Sequence, residues 1–389
     1  MSPIVSVIIP AYNSADHIVR AISSALEQTL SDIELIVVDD GSTDDTEPVI
    51  NQISDPRVRY VRQARQERSA ARNHGLALAC GRYVAFLDAD DWWQPTKLEK
   101  QVALLEANPD TVLVHCWLQS VLPDGRLGRL QKSFQQARES GGAQVFERLL
   151  LGGLPGPSST IVIRTATAAA LGGFNTGLRY GEDWEFVLRV AVHGSVGFVP
   201  EALAYYRLYG SYLPSRMHSL GQQQAFPRIV EAAAKEAGLN SDEPLFRRAM
   251  ARAHYSGAFV DAGIGDFEGA NRRLECARDQ DPTLFASARP PIIPRLAHFA
   301  RCLNDTETPL DQSLAYVAGL LSHLDLGMVE LRTHTRQAVS YTMALRVFET
   351  AQEGDAQGAT GAFIGAVLRD PSWLANIGFL KLGLRTLIS

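Results

Sequence analysis

Short apolar runs separated by polar turns open the chain. Residues 4–9 are apolar and β-branched and stop at Pro10, the pattern of a strand buried on both faces. Ser14 is placed to cap a following helix, in which Ile18, Ala21, Ile22, Ala25 and Leu26 fall on one face. A second apolar run, residues 34–39, ends in Asp40-Gly41-Ser42-Thr43-Asp44, a turn that supplies the next helix cap. Residues 58–61 predict a third strand, 69–79 another helix, and 82–87 a fourth strand that ends at Asp88. Strands alternating with helices at this spacing imply right-handed crossovers and a parallel sheet covered on both faces. In such a sheet the ligand crevice lies beyond the carboxyl ends of the strands. Pro10-Ala11-Tyr12, Asp39-Asp40 and Asp88-Ala89-Asp90-Asp91 all occupy strand ends, so three separate segments are expected to converge there.

The pattern then changes twice. Residues 112–121 followed by Pro123-Asp124-Gly125 read as a strand entering a tight turn. Residues 159–164 read as another strand, followed by Gly172-Gly173-Phe174 and a helix opening near Glu182, so this half is expected to complete the sheet with mixed strands and to hold the second substrate. Beyond about residue 220 strand patterns give way to alanine-rich helical ones. There Gly265-Asp266 leads to Asp281-Pro282, and Gly354-Asp355 leads at the same interval to Asp370-Pro371. This weak internal repeat resembles paired helices of the tetratricopeptide type and leaves open either a packing domain or a protein-binding surface. The expected organisation is an α/β domain over residues 1–215, divided into halves 1–110 and 111–215, then an all-α domain over 216–389.

Composition narrows the function. With 46% hydrophobic and 21% charged residues in a 389-residue chain, a folded protein of two domains is expected. A net charge of -6 offers no general attraction to nucleic acid. Cys80, Cys116, Cys276 and Cys302 have no zinc-ligand spacing and are read as buried thiols of a reducing compartment. No charged segment followed by an apolar stretch precedes the first strand, and no apolar run approaches the roughly 20 residues that span a bilayer. A cytoplasmic protein without a transmembrane segment is expected. The last helical stretch, residues 373–388, has only Lys381 and Arg385 to lay it on a membrane surface, so packing is favoured over a peripheral site at the inner face.

Carboxylates crowded at a strand end serve as metal ligands, as an acid/base pair, or as solvated loop charges. Asp88, Asp90 and Asp91 follow an apolar strand directly and repel one another unless a cation or a proton intervenes. Few hard oxygen ligands suit Mg²⁺ or Mn²⁺, which bind phosphate oxygens beside protein carboxylates. Convergence with the two other strand ends favours the metal reading.

Over roughly residues 4–212 the chain resembles the family 2 glycosyltransferases of the GT-A fold. The resemblance runs through residues 5–13, 34–44, Ala71-Arg72-Asn73, 81–91, Gly172-Gly173-Phe174, Glu182-Asp183-Trp184 and Tyr206-Arg207, in that order. It implies an inverting transfer of a sugar from a nucleotide-sugar donor, UDP-linked by family prevalence, to a hydroxyl of a glycan or lipid-linked acceptor. Tyr12 would stack on the base, with Pro10 also in the substrate site, Asp40 would accept a hydrogen bond from the base, and Arg72 and Asn73 would reach the phosphates. Asp88 would contact the ribose, with Asp90 holding the metal and Asp91 in support. Asp183 would be the base, Glu182 its reserve, and Trp184 would line the acceptor sugar. Other roles compete: an acidic pair opening a helix complements its dipole, and Trp184 is equally a core residue. One departure stands out. Where family members often carry a histidine after the Tyr-Arg pair, this chain has Tyr209, and its next histidine is His218. A nucleotide-sugar-binding interaction protein working through its helical part is the competing reading.

Overall fold

The computed structural model describes residues 2–131, 142–152, 156–208, 212–263 and 265–286, together with residues 363, 364, 366 and 367. Residues 1–211 with 228–249 form one compact unit, and residues 212–227 belong with the chain from 250 onward in a second.

In the first unit, β1 (Val5–Ala11), β2 (Ile33–Asp39), β3 (Val58–Arg62) and β4 (Tyr83–Phe86) pair in parallel, in the order β3-β2-β1-β4. Between them run α1 (Ile18–Leu26), α2 (Thr46–Ile50) and α3 (Glu67–Leu78). Alternation explains the continuous apolar runs. Val5, Val7, Ile9, Leu35 and Val37 pack with Ile18, Ala21, Ile22 and Ala25 of α1, whereas Ile36 and Val38 pack with Ala71 of α3. Ile8 faces α3 as well. A Cβ on Gly75 would stand 2.5 Å from the Ile8 side chain, so the missing side chain lets the helix come down onto the strand. Each fully buried aliphatic side chain here is worth about 1.5–3 kcal/mol.

The sheet continues through β8 (Val162–Arg164), β6 (Thr111–Val121), β9 (Ser195–Arg207) and β5 (Trp92–Trp93), with β7 (Leu127–Gln131) on β6. Here β8 runs antiparallel to both β4 and β6, β5 antiparallel to β9, and β6 parallel to β9. The first half is the parallel sheet expected and the second half completes it with mixed strands, also as expected, so the whole sheet is mixed and not mostly parallel. The remaining helices of this region are α4 (Lys97–Ala107), α5 (Gly142–Leu150), α6 (Thr165–Ala170) and α7 (Glu182–Val192).

Two local expectations are corrected. The Ser14 hydroxyl does not cap α1; it donates to the Tyr12 carbonyl, while the Ser14 amide donates to Thr46 Oγ1. Of the cysteines only Cys116 is buried among the described residues, whereas Cys80 and Cys276 are exposed.

After residue 211 the described elements are all helical: α8 (Tyr212–Glu236), α9 (Pro244–Gly263), α10 (Phe267–Gln280) and α11 (Thr283–Ala286). The first Gly-Asp turn behaves as expected. Gly265 takes φ +89, Asp266 caps α10 by accepting from the Gly269 amide at 2.8 Å, and α10 ends at Asp281. Within the second unit Arg273 is paired with Asp261 at 2.6 Å. The second repeat and the 373–388 stretch lie outside the described residues. No helix among the described residues is long and apolar enough to cross a membrane.

Candidate active site

The chain runs β1, β2, β3 in one direction and then places β4 on the other side of β1, which opens a crevice at their carboxyl ends. About 340 Å³ of water-accessible space lies there. Its lining comes from all three expected segments, with Pro10 and Tyr12 at the end of β1, Asp40 after β2, and Asp88 and Asp90 after β4. Asn13, Arg65, Glu67, Arg68 and Tyr206 complete the wall.

The β2 end is held by neutral donors. Asp39 is fully buried; its Oδ1 accepts from the Ser42 amide at 2.7 Å and its Oδ2 from the Tyr60 hydroxyl at 2.7 Å. Asn13, at φ +48, donates its amide to Ser42 Oγ and accepts from the Thr43 amide, stitching the two loops together. Asp40 Oδ1 accepts from Gln63 Nε2 and from the Gln66 amide, both at 2.8 Å. Its Oδ2 has no partner among the described residues. Tyr12 is 37% exposed, and one face of its ring is covered by the Arg65 guanidinium, 3.9 Å from the ring centroid. Arg65 also donates to the Tyr12 hydroxyl.

The β4 end is charged. Asp91 is turned inward: Oδ2 accepts from the Ser159 hydroxyl at 2.6 Å and Oδ1 from the Arg207 amide at 3.3 Å. Ser159 Oγ also accepts from the Asp88 amide, and Trp93 Nε1 donates to the Ser159 carbonyl at 2.7 Å. The Ser158-Ser159 pair thus clamps the aspartate loop. Burial and the charges of Asp90 and Asp88 hold the Asp91 carboxyl well above the usual carboxylate range. Burial and the same aspartates also push the Tyr206 phenol up.

Arg72 joins this loop to α7. Its side chain is 2% exposed; Nη2 meets Asp88 Oδ1 at 2.7 Å and Nη1 meets Glu182 Oε1 at 3.1 Å. Burial alone would lower the guanidinium's pKa, but Asp88 and Glu182 more than reverse that, and Asp88 is lowered in return. Arg68 Nε lies 3.3 Å from the same Glu182 oxygen. Arg72 is therefore a buried tie between two carboxylates and does not line the crevice. Glu182, 2% exposed and shared by two guanidiniums, is a counter-ion. Its neighbour Asp183 is half-buried, accepts from the Trp184 amide, and has its pKa pushed up to about 6 by burial and by the Glu182 charge.

Asn73 and Trp184 lie away from the crevice wall. The Asn73 side chain bonds both ways to the Phe174 backbone, at 2.7 and 2.8 Å, and a Cβ on Gly173 (φ +74) would stand 2.2 Å from Asn73 Oδ1. That latch, with Arg189 donating to the Gly173 carbonyl, accounts for Gly172-Gly173-Phe174. Trp184 is 3% exposed and donates Nε1 to the Leu149 carbonyl, the core alternative for this residue. Sequence reading missed Arg65 and Arg68. Arg68 stands one helical turn before Arg72 on the same face, a signal that starting the helix at Ser69 concealed. Tyr209 and the His218 side chain lie outside the described residues.

Parts of the chain are similar to known proteins. One stretch of 104 residues is 47% identical to the UDP-Glc:alpha-D-GlcNAc-diphosphoundecaprenol beta-1,3-glucosyltransferase WfaP of Escherichia coli, covering 26% of this chain and 41% of that protein. Another of 137 residues is 41% identical to the succinoglycan biosynthesis protein ExoO of Rhizobium meliloti, covering 35% of this chain and 39% of that protein. The chain thus spans about two fifths of the length of these curated relatives. The solved structure of S. aureus TarS 1-349 in complex with UDP-GlcNAc aligns over 91% of this chain and 92% of that one, at 19% identity and a TM-score of 0.48. At that distance the likeness carries no functional information. Residues 6–162, which hold the three strand ends and their carboxylates, match the family model described as glycosyl transferase family 2.

Proposed function

We propose that the chain is a nucleotide-sugar-dependent glycosyltransferase of GT-A type that transfers with inversion to a hydroxyl acceptor. The observation that carries this reading is the ion-pair chain Asp88–Arg72–Glu182, which ties the start of α7, and with it Asp183, to the loop at the end of β4. Asp183 is outside the lining of the crevice itself, but this ion-pair chain ties its raised, half-buried carboxylate to a crevice lined by Asp40, Asp88 and Asp90, the constellation that sugar transfer needs.

The parts divide as follows. The base takes the face of Tyr12 that Arg65 leaves open, and Asp40 Oδ2 accepts from a ring nitrogen. Asp88 accepts from the ribose. A divalent cation would be held by Asp90, a hard oxygen ligand that lines the crevice beside Asp88. Among the described residues no three His, Cys, Asp or Glu side chains form a ready ligand group, so phosphate oxygens and water would complete the shell around one carboxylate. When bound, such an ion supplies positive charge to the departing diphosphate. Asp91 acts behind it, holding Ser159 and the Arg207 amide. Asp183 accepts the acceptor's proton as its oxygen attacks the anomeric carbon from the side opposite the diphosphate.

The test is release of nucleoside diphosphate from UDP-, GDP- and dTDP-sugars in the presence of glycan and lipid-linked acceptors, with and without Mn²⁺. Metal-dependent release by the native chain, lowered roughly 10²–10⁴-fold in Asp183→Asn, is expected. Release that persists unchanged in Asp183→Asn would remove the assigned mechanism.

A further inference from the structure

Arg68 lines the crevice at its charged end. Its Nε touches Glu182, and its charge acts on Asp88, Asp183 and Tyr206. Yet its two terminal nitrogens donate to no acceptor among the described residues, and the side chain remains 44% exposed. Arg72, one turn on, differs in every respect: it is 2% exposed and both its terminal nitrogens are spent on Asp88 and Glu182. Arg65 lines the crevice too, but lies on the Tyr12 ring and donates to its hydroxyl.

We infer that Arg68 is a diphosphate-binding residue: anchored through Nε on Glu182, it presents Nη1 and Nη2 to the anionic oxygens of a nucleoside diphosphate lying between Tyr12 and Asp90. A guanidinium fixed at one nitrogen keeps its remaining donors in a fork that matches phosphate oxygens. The anchor matters, since Glu182 Oε1 already accepts from Arg72 and so stays in place when Arg68's outer nitrogens take a ligand. This role of Arg68 rests on the nucleotide-sugar reading above.

Calorimetric titration of the full chain with UDP, UMP, GDP and GMP in Mn²⁺ tests it, repeated for Arg68→Gln, Arg68→Lys and the exposed Arg82→Gln as an equal loss of charge elsewhere. The native chain is expected to prefer one diphosphate over its monophosphate. Arg68→Gln should weaken that diphosphate about 10- to 100-fold, as for loss of a charge-assisted hydrogen bond, while moving the monophosphate much less. Arg68→Lys should recover part of the preference and Arg82→Gln all of it. If Arg68→Gln keeps the native diphosphate-to-monophosphate ratio, the inference falls and the glycosyltransferase reading stands. If it weakens both nucleotides equally, Arg68 only supports the fold of the crevice, and the inference falls again. A native chain that binds neither diphosphate removes the nucleotide-sugar reading and the inference together.

Discussion

The two ends of the crevice hold their buried acids by different means. At the β2 end Asp39 and Asp40 are fixed by neutral donors: the Ser42 and Gln66 amides, the Tyr60 hydroxyl and the Gln63 side chain. At the β4 end Asp91 also rests on neutral donors, the Ser159 hydroxyl and the Arg207 amide, but Asp88 and Glu182 are fixed by the guanidiniums of Arg72 and Arg68. Both ends share a pattern of adjacent acids, one turned in and one toward the crevice: Asp39 with Asp40, Asp91 with Asp90. The difference lies in charge density. A pair of acids of which one is offered to a neutral ring needs only orientation, which dipoles supply. Five acids gathered around a diphosphate and an attacking hydroxyl repel one another, and only full positive charges offset that.

The strongest test of this contrast is Asp183→Asn, which keeps the shape of the charged end and removes its proton acceptor. Turnover should fall by roughly 10²–10⁴-fold, the range for loss of a positioned general base, with diphosphate binding retained. Stability should move the other way. Because the folded Asp183 carboxyl sits at about 6, above its ordinary value, folding disfavours the ionised form, and stability is lost as pH rises from about 4 through about 6. The asparagine variant should therefore melt higher than native at neutral pH and no higher at pH 3. A variant that loses stability at neutral pH would show that Asp183 is a structural acid.

Arg72→Met comes next and acts on stability first. Removing the guanidinium leaves Glu182 and Asp88 without their main counter-ion, which costs roughly 3–5 kcal/mol for a buried pair. The low end applies, because Asp88 keeps 26% of its side chain exposed and Arg68 stays beside Glu182. Denaturant unfolding of the two proteins measures it. A loss below about 1 kcal/mol would mean that solvent, and not the ion-pair chain, neutralises this end.

The pH dependence is the third. With Asp183 as base, kcat/KM should rise with pH and level off above a midpoint near 6. The rising limb should be absent from whatever residual rate Asp183→Asn retains. A limb that survives unchanged would belong to another group.

How much of this could be read from sequence depends on which forces decide each part. The parallel half was legible because residues 4–9 and 34–39 are buried on both faces, and burial leaves an unbroken apolar run. The long strand β9 was not, since Gly197, Pro200 and Glu201 interrupt its alternation; it exists through pairing with β6, with register shifts where Cys116 and Trp117 meet Val199 and Ala202. The membership of the crevice was legible from strand ends. The direction of individual side chains was not. Arg72 and Asn73 are neighbours on α3, so they point about 100° apart, one to Asp88 and Glu182 and the other to Phe174. Charge and helix period together could have picked out Arg68 with Arg72, had the helix been started two residues earlier.

Tyr60→Phe is the mildest test and bears directly on the neutral end. It removes only the hydroxyl that donates to Asp39 Oδ2 at 2.7 Å. Burial and Asp39's charge together hold that phenol above its usual range, so it stays a donor at any working pH. A hydrogen bond to a buried charged group is worth about 1.5–3 kcal/mol, but Tyr60 is only half-buried and Arg62 lies 4.0 Å from the same oxygen, where it can take up part of the load. A loss of about 1 kcal/mol in denaturant unfolding is expected, with diphosphate affinity within about threefold of native, since Asp40 keeps its own two donors. If Tyr60→Phe destabilises as much as Arg72→Met, the neutral donors bear the same electrostatic load as the guanidiniums, and the distinction between the two ends fails.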